Sequence, residues 1–179
     1  MSILVTSGQS RASWIEDVSL SSGLKETVEN SSILFLPVKN FRGEVDFAFP
    51  QGTLDLYNYL KKEIEGTGTV EICIDDERYS EIALYSREIR FGKIIVSVVF
   101  APLIVGLLTN YMYDQLSVKA EDKITIAISV ESECQNYEVH YDGTAEDFGT
   151  INESIKNILA DCNINESTPT KETVSEDNE

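Results

Sequence analysis

Twenty consecutive residues carry no charge: Ile94 to Tyr113 (IIVSVVFAPLIVGLLTNYMY), bracketed by Lys93 and Asp114. A stretch of this kind lies inside a protein core or inside a bilayer, and the choice governs the rest of the chain. Length alone admits a membrane helix, which needs about 20 mostly apolar residues to cross the hydrocarbon layer. Arg87, Arg90 and Lys93 on the N-terminal flank, with Asp114 on the other, would place the N-terminal half in the cytosol. Internal texture favours the core. Residues 94–100 are β-branched except for Ser97 and Phe100, which suits a pleated strand and costs rotamer freedom in a helix. Pro102 follows where a new helix would start, a position at which the missing N–H loses nothing. From Leu103 the apolar residues fall on nearly every side of a helix, as for one packed on a sheet. An unbroken span would also hold Pro102 near its middle, with Ser97, Gly106, Thr109 and Asn110 around it. A helix lying on a membrane surface would need a basic polar face, which this segment lacks. The expectation is a strand, a turn and a central helix near 102–116, or a kinked helix, with a single span over 94–113 as the alternative.

Charge sets the next bound. Among 179 residues, 31 acids face 14 bases, a formal net charge of −17. Such a field repels phosphate backbones and anionic lipid, so direct nucleic-acid binding is not expected. It favours solubility, a cation or a basic protein partner. Cys73, Cys134 and Cys162 are odd in number and far apart, without a CxxC or Cys/His cluster. They make neither a disulfide scaffold nor a zinc site, and a reducing cytoplasm fits them best. Ile3–Val5 is too short an apolar run for a signal peptide.

Along the chain, residues 1–32 read as a serine-rich arm, with Leu20, Leu24 and Val28 spaced for one helix face. A single domain is expected over 33–160, with possible subdivision at 93 or 118. Residues 33–38 and 44–49 read as strands paired in a hairpin, the second alternating through Val45, Phe47 and Phe49. Thr53 caps an expected helix to about Glu65, and Gly66 and Gly68 stop it. Strands follow over 69–74, 80–85 and 87–91. The clearest β signal is Lys123–Glu131, which alternates through Ile124, Ile126, Ile128 and Val130 and turns back through Tyr137, Val139 and Tyr141. Thr144, with Asp147 three residues on, marks the start of a last helix near 144–160. Residues 161–179 hold six acids against Lys171 and read as a disordered tail. The fold class expected is α+β, with a mixed or mainly antiparallel sheet and about three main helices.

Chemical signatures are sparse. Asp75, Asp76 and Glu77 follow a strand end and are the weak candidates for a carboxylate-held cation, though their spacing fits no calcium loop. They read better as an exposed acidic turn. His140, the one histidine, shares a strand face with Glu138 and reads as solvent-facing, without the partner acid and pocket a general base needs. Cys73 sits mid-strand with no base in sight. No P-loop, GxGxxG, GxSxG or HExxH occurs. Eight tyrosines are more suggestive, because tyrosine is enriched in interfaces. Tyr57, Tyr111, Tyr113, Tyr137 and Tyr141, with the lone Trp14, are the interface candidates; lining core edges is the equal alternative for the tyrosines, and a core anchor for Trp14. The residues point to a non-enzymatic cytoplasmic interaction module without a cofactor, an acidic accessory or neutralising subunit for a basic partner or for its own copy. A membrane-anchored protein and a small metal-dependent enzyme built on 75–77 are the alternatives.

Overall fold

A computed structural model describes residues 1–83, 88–132 and 136–166, with the final helical turns from residue 161 described through the backbone. The order is β1 (Ser2–Ser7), α1 (Arg11–Val18), α2 (Ser22–Glu29), β2 (Ile33–Leu36), β3 (Val38–Phe41), β4 (Val45–Pro50), α3 (Thr53–Glu63), β5 (Val70–Ile72), β6 (Glu81–Ile82), β7 (Ile89–Ser97), α4 (Ala101–Asn110), β8 (Lys123–Glu131), β9 (Asn136–Thr144) and α5 (Ile151–Glu166). The class is α+β, as the residue pattern indicates. Six strands form the main sheet in the order β1-β9-β8-β7-β2-β5, and β3-β4-β6 form a smaller one.

The main sheet is mixed because two of its pairs are parallel, β2 with β5 and β7 with β8. Parallel neighbours need a crossover. α3 lies in the connection between the first pair and α4 in that between the second. This is where the uncharged stretch goes. Ile94, Ile95 and Val96 form the fully buried end of β7, hydrogen-bonded between β2 and β8. Val98 to Phe100 turn the chain, and α4 starts with Pro102 in its first turn. The reading of 94–113 as one span is therefore corrected. Its residues are divided between strand, turn and helix, and no helix among the described residues is long and apolar enough to cross a membrane.

Register separates the two faces of the sheet. Phe35, Ile94, Ile128 and Val139 share one face. α3 packs there through Tyr57 against Phe35 at 6.3 Å, and the segment leading into α5 through Phe148 against Tyr141 at 5.3 Å. α4 buries Ala101, Ile104, Val105 and Leu108 but exposes Pro102, Leu103 and Gly106, so it is less enclosed than an all-round apolar helix implies. The other face carries Lys93, Ser129 and Glu138 and is partly covered by α1. A bulge at Gly92, in the left-handed region at φ 73°, shifts the β7–β8 register and brings Pro50 within 3.0 Å of where a Cβ would stand.

Several local expectations change. The hairpin partner of β4 is β3, whereas residues 33–36 join the main sheet. Alternation in β4 breaks down because Ala48, Phe49 and Pro50 are all buried, with β3 on one edge and β6 on the other. The strand expected over 80–85 shortens to Glu81–Ile82, with residues 84 and 85 outside the described ones. Thr144 does bond Asp147 at 3.1 Å, but a 3-10 turn at Phe148–Thr150 intervenes and the helix begins at Ile151. α5 reaches Glu166, into the expected tail, and residues 167–179 lie outside the described ones. Residues 2–29 form β1, α1 and α2, and contribute Trp14, Ile15, Val18, Leu20 and Val28 to the core.

Candidate functional site

The N-terminus of α3 is where sequence reasoning and structure part most instructively. Gly52, at φ 88°, precedes the helix and has no side chain to cap it. The expected cap, Thr53, instead donates its hydroxyl to Pro50 O at 2.7 Å. Glu81 takes over from a distant strand, accepting the N–H groups of Gly52 and Leu54 at 2.9 Å each. The Tyr79 hydroxyl donates to the same carboxylate at 2.7 Å. Burial pushes the Glu81 carboxyl up, but Tyr79 and the backbone donors of Leu54, Gly52 and Thr53 outweigh it and hold the group below its ordinary value. Glu81→Gln is expected to cost about 1–2 kcal/mol, the worth of a good cap. The sign of the pH effect follows from the lowered folded value. The stabilisation is complete above the unfolded glutamate value of about 4.3 and is lost as pH falls through the folded one. Acid titration of urea-unfolding midpoints should show a shallower low-pH decline in Glu81→Gln than in the parent, and identical declines would refute the assignment.

Beside this corner runs a groove. A cleft of about 250 Å³ is lined by Pro50, Gly52, Leu56, Arg90, Phe91 and Tyr111 among others, and adjoins one of about 500 Å³. Tyr111 and Leu116 line both. In the larger one the rings of Tyr59 and Tyr111 lie 5.0 Å apart, and Phe91 backs Tyr111 at 6.2 Å. Asp55, Asn58, Lys62, Glu63 and Gln115 complete its walls. Burial, then the charges of Glu63 and Asp114, push the Tyr59 phenol up. Burial, then Asp55 and Glu81, do the same to Tyr111. Both phenols therefore stay protonated as donors. Tyr111–Gln115 form a π-helical turn at the end of α4, a distortion that occurs often at functional sites. It leaves Tyr113 and Leu116 exposed, each at 42%.

Of the interface candidates, only Tyr111 lines this groove, at its base and only 4% exposed, and Tyr113 is exposed beside it. Two others are buried, the core alternative open to each. Trp14 is 6% exposed and lies under Lys39 at 3.8 Å and Lys93 at 5.3 Å, while Tyr141 is 2% exposed, so both belong to the protein's own interior. Tyr57 is half-buried, its hydroxyl accepting from Lys61 at 2.9 Å, and Tyr137 is half-buried against the core. Tyr59 and the capping role of Glu81 were not singled out by the sequence. Tyr59 lies four residues before Glu63 on the same helix, and that spacing was the available signal.

The acidic turn does structural work. Asp75 accepts from Ser21 N at 3.2 Å and pairs with Arg78 at 3.8 Å, and the Ser21 bonds hold its carboxyl below the ordinary range. Arg78 in turn donates to Val18 O at 2.7 Å. Asp75 thus ties the turn to the corner between α1 and α2, while Asp76 and Glu77 stay exposed. Among the described residues no group of three potential ligands could hold a metal ion. Burial pushes the Cys73 thiol up to about 12, which leaves it inert at neutral pH.

His140 is exposed as expected, but its surroundings are corrected on two counts. Glu138, on the same strand face, is only 6% exposed. One of its oxygens meets His140 Nε2 at 2.7 Å, and the other pairs with Lys93 and accepts from Ser129 at 3.0 Å. His140 also lines a cleft of about 300 Å³ with Val38, Phe41, Arg90, Thr125 and Ala127. It therefore has both a partner acid and a cleft. The Glu138 carboxylate is committed to three neighbours, so the cluster reads first as compensation of a buried charge. No family model matches this chain, and no curated protein or solved structure matches it.

Proposed function

We propose that this protein is a non-enzymatic cytoplasmic interaction module, an acidic accessory or neutralising subunit that holds a basic segment of a protein partner in the α3–α4 groove. The observation that carries this reading is the half-buried Tyr59 ring, tilted at 50° against the buried Tyr111, with Asp55, Glu63 and Asp114 around it. The Tyr59 ring, held in place by Tyr111 behind it, offers area at low entropic cost, and an arginine laid on it gains cation–π attraction. Carboxylates at the rim steer a cationic partner and select its register. Leu116 and Tyr113 supply exposed apolar surface beside the platform. Lys62 is the basic residue lining the larger cleft.

The test uses a fluorescent arginine- and leucine-rich peptide, titrated against the protein at low and high salt. Affinity should fall steeply with salt, because exposed charges are screened beyond about 8 Å at physiological ionic strength. Asp55→Asn, Glu63→Gln and Asp114→Asn together should weaken binding about tenfold, at up to about 1 kcal/mol for each exposed pair. The molecule remains strongly acidic with these changes, so a loss reports the groove and not the total charge. Tyr59→Ala should weaken binding by a similar factor through loss of the platform. Binding that ignores either variant would refute the groove as the site.

A further inference from the structure

We infer that β1 is a self-association edge, through which two copies of this chain join their main sheets by antiparallel β1–β1 pairing. The sheet has two edges, and they are built differently. At one, β5 is three residues long and carries Glu71. A short, charged edge strand is a standard safeguard against edge-to-edge pairing. At the other, β1 runs six residues (SILVTS) without a charge, a proline, a glycine or a bulge, and five of its residues are exposed. Among the described residues no strand pairs with its outer side.

Hydrogen-bond parity shows which backbone groups are free. β1 pairs with β9 so that Ser2 faces Asp142 and Ser7 faces Tyr137, and one step on Gly8 N donates to Asn136 O at 2.8 Å. Bonded and non-bonded pairs alternate in an antiparallel ladder. The even-numbered residues therefore turn their N–H and C=O towards β9, and Ile3, Val5 and Ser7 turn theirs outward. A two-fold axis perpendicular to the sheet requires opposed residues to lie on the same face. With the axis at Leu4, Ile3 of one copy exchanges both backbone bonds with Val5 of the other. Leu4 then meets Leu4, and Ser2 meets Thr6. Apolar opposes apolar and polar opposes polar over residues 2–6, and Ser7 falls opposite Met1. Centring on Val5 instead sets Leu4 against Thr6 and Ile3 against Ser7, so the first register is favoured.

Self-complementarity of the strand points to a second copy as the occupant, and charge does not bar it at the seam. Each chain carries −17, yet the approaching strands carry none. Glu138, one strand in, is already paired with Lys93 and His140. The two β9 strands would stand about 14 Å apart, three strand spacings, which is beyond the physiological screening length. Leu4 and Val5, now 57% and 45% exposed on opposite faces, would be covered from both sides of the seam.

Light scattering of the full chain over rising concentration is expected to show a reversible dimer that strengthens with salt as repulsion is screened. That is the opposite salt dependence from groove binding, so the two readings succeed or fail separately. Val5→Pro removes an outward N–H and leaves the β9 ladder intact, and should weaken the dimer at least about tenfold without lowering the melting temperature. Leu4→Lys, which opposes like charges across the axis, should do the same and serves as the check if the proline variant misfolds. Leu4→Cys should crosslink to its own copy under mild oxidation, since a non-bonded pair brings the Cα atoms to about 4.5 Å. A chain that stays monomeric at every concentration, a dimer untouched by both edge variants, or crosslinking at Val5→Cys in preference to Leu4→Cys would overturn the proposal.

Discussion

Arg11→Ala is expected to cost about 3–5 kcal/mol, the range for removing one partner from a buried ionic cluster. Arg11 begins α1, with its side chain 8% exposed. Its Nη1 lies 2.7 Å from Val28 O, Ser31 O and Ser31 Oγ, at the C-terminal end of α2 and just beyond. Carbonyls at a helix end have no partner within the helix, and a cation there also suits the helix dipole. Nε pairs with Glu131 Oε2 at 2.9 Å, and Glu131 Oε1 accepts the Arg11 backbone N–H at 3.0 Å. One side chain thus joins α1, α2 and β8. Alanine would leave buried acceptors unpaired and the Glu131 charge without its counter-ion. Arg11→Lys should recover only part of the loss, since an ammonium lacks the planar fork that reaches both sides. Equilibrium urea unfolding measures both, and a loss below about 1 kcal/mol for alanine would show that these bonds contribute little net stability.

Lys93→Met should be nearly as damaging, at about 3 kcal/mol, because it takes the ammonium partner from the buried Glu138 and leaves it Ser129 and His140. The Glu138 side chain is 8% exposed and that of Lys93 is 23%. Lys93 also lies 5.3 Å from the centre of the Trp14 ring, so its stem and charge are both used. Glu138→Leu alone should cost less, since Lys93 keeps the face of Trp14 and a path to water. The double variant Lys93→Met/Glu138→Leu should recover most of the stability lost in Lys93→Met, as replacing a buried pair with apolar residues is often close to neutral. A thermodynamic cycle over the four proteins reads the coupling directly. Strict additivity would show that the two charges do not depend on one another.

Neither effect was visible in the linear sequence, and the reason is physical. Arg11 and Glu131 are 120 positions apart, and nothing local marks either as buried. Alternation in residues 137–141 assigns Glu138 to the face opposite Val139, which is correct, and then makes that face solvent because it is polar. The inference fails because α1 covers part of that face, where Trp14 and Lys93 meet. The groove shows the same division. The tyrosines and acids of α3 and α4 are legible as a composition. Their convergence depends on α3 and α4 packing on one face of the sheet, and on the π turn that ends α4.

What the sequence determined by itself is what short-range physics controls. The strand β8 follows from strict alternation, and the break of the 94–113 stretch into strand and helix follows from β-branching and Pro102. The α+β class follows from these periods taken together, and the acidic surface from composition. Tertiary structure decided which strands pair, because β2 trades its expected hairpin for a place beside β5 and β7. It also decided how the charges are used. Asp75 and Glu81 bind backbone donors, and Arg11, Lys93 and Glu138 serve the interior. Each of these outcomes turns on contacts between residues distant in the chain, whose closure entropy is repaid only when the whole sheet assembles.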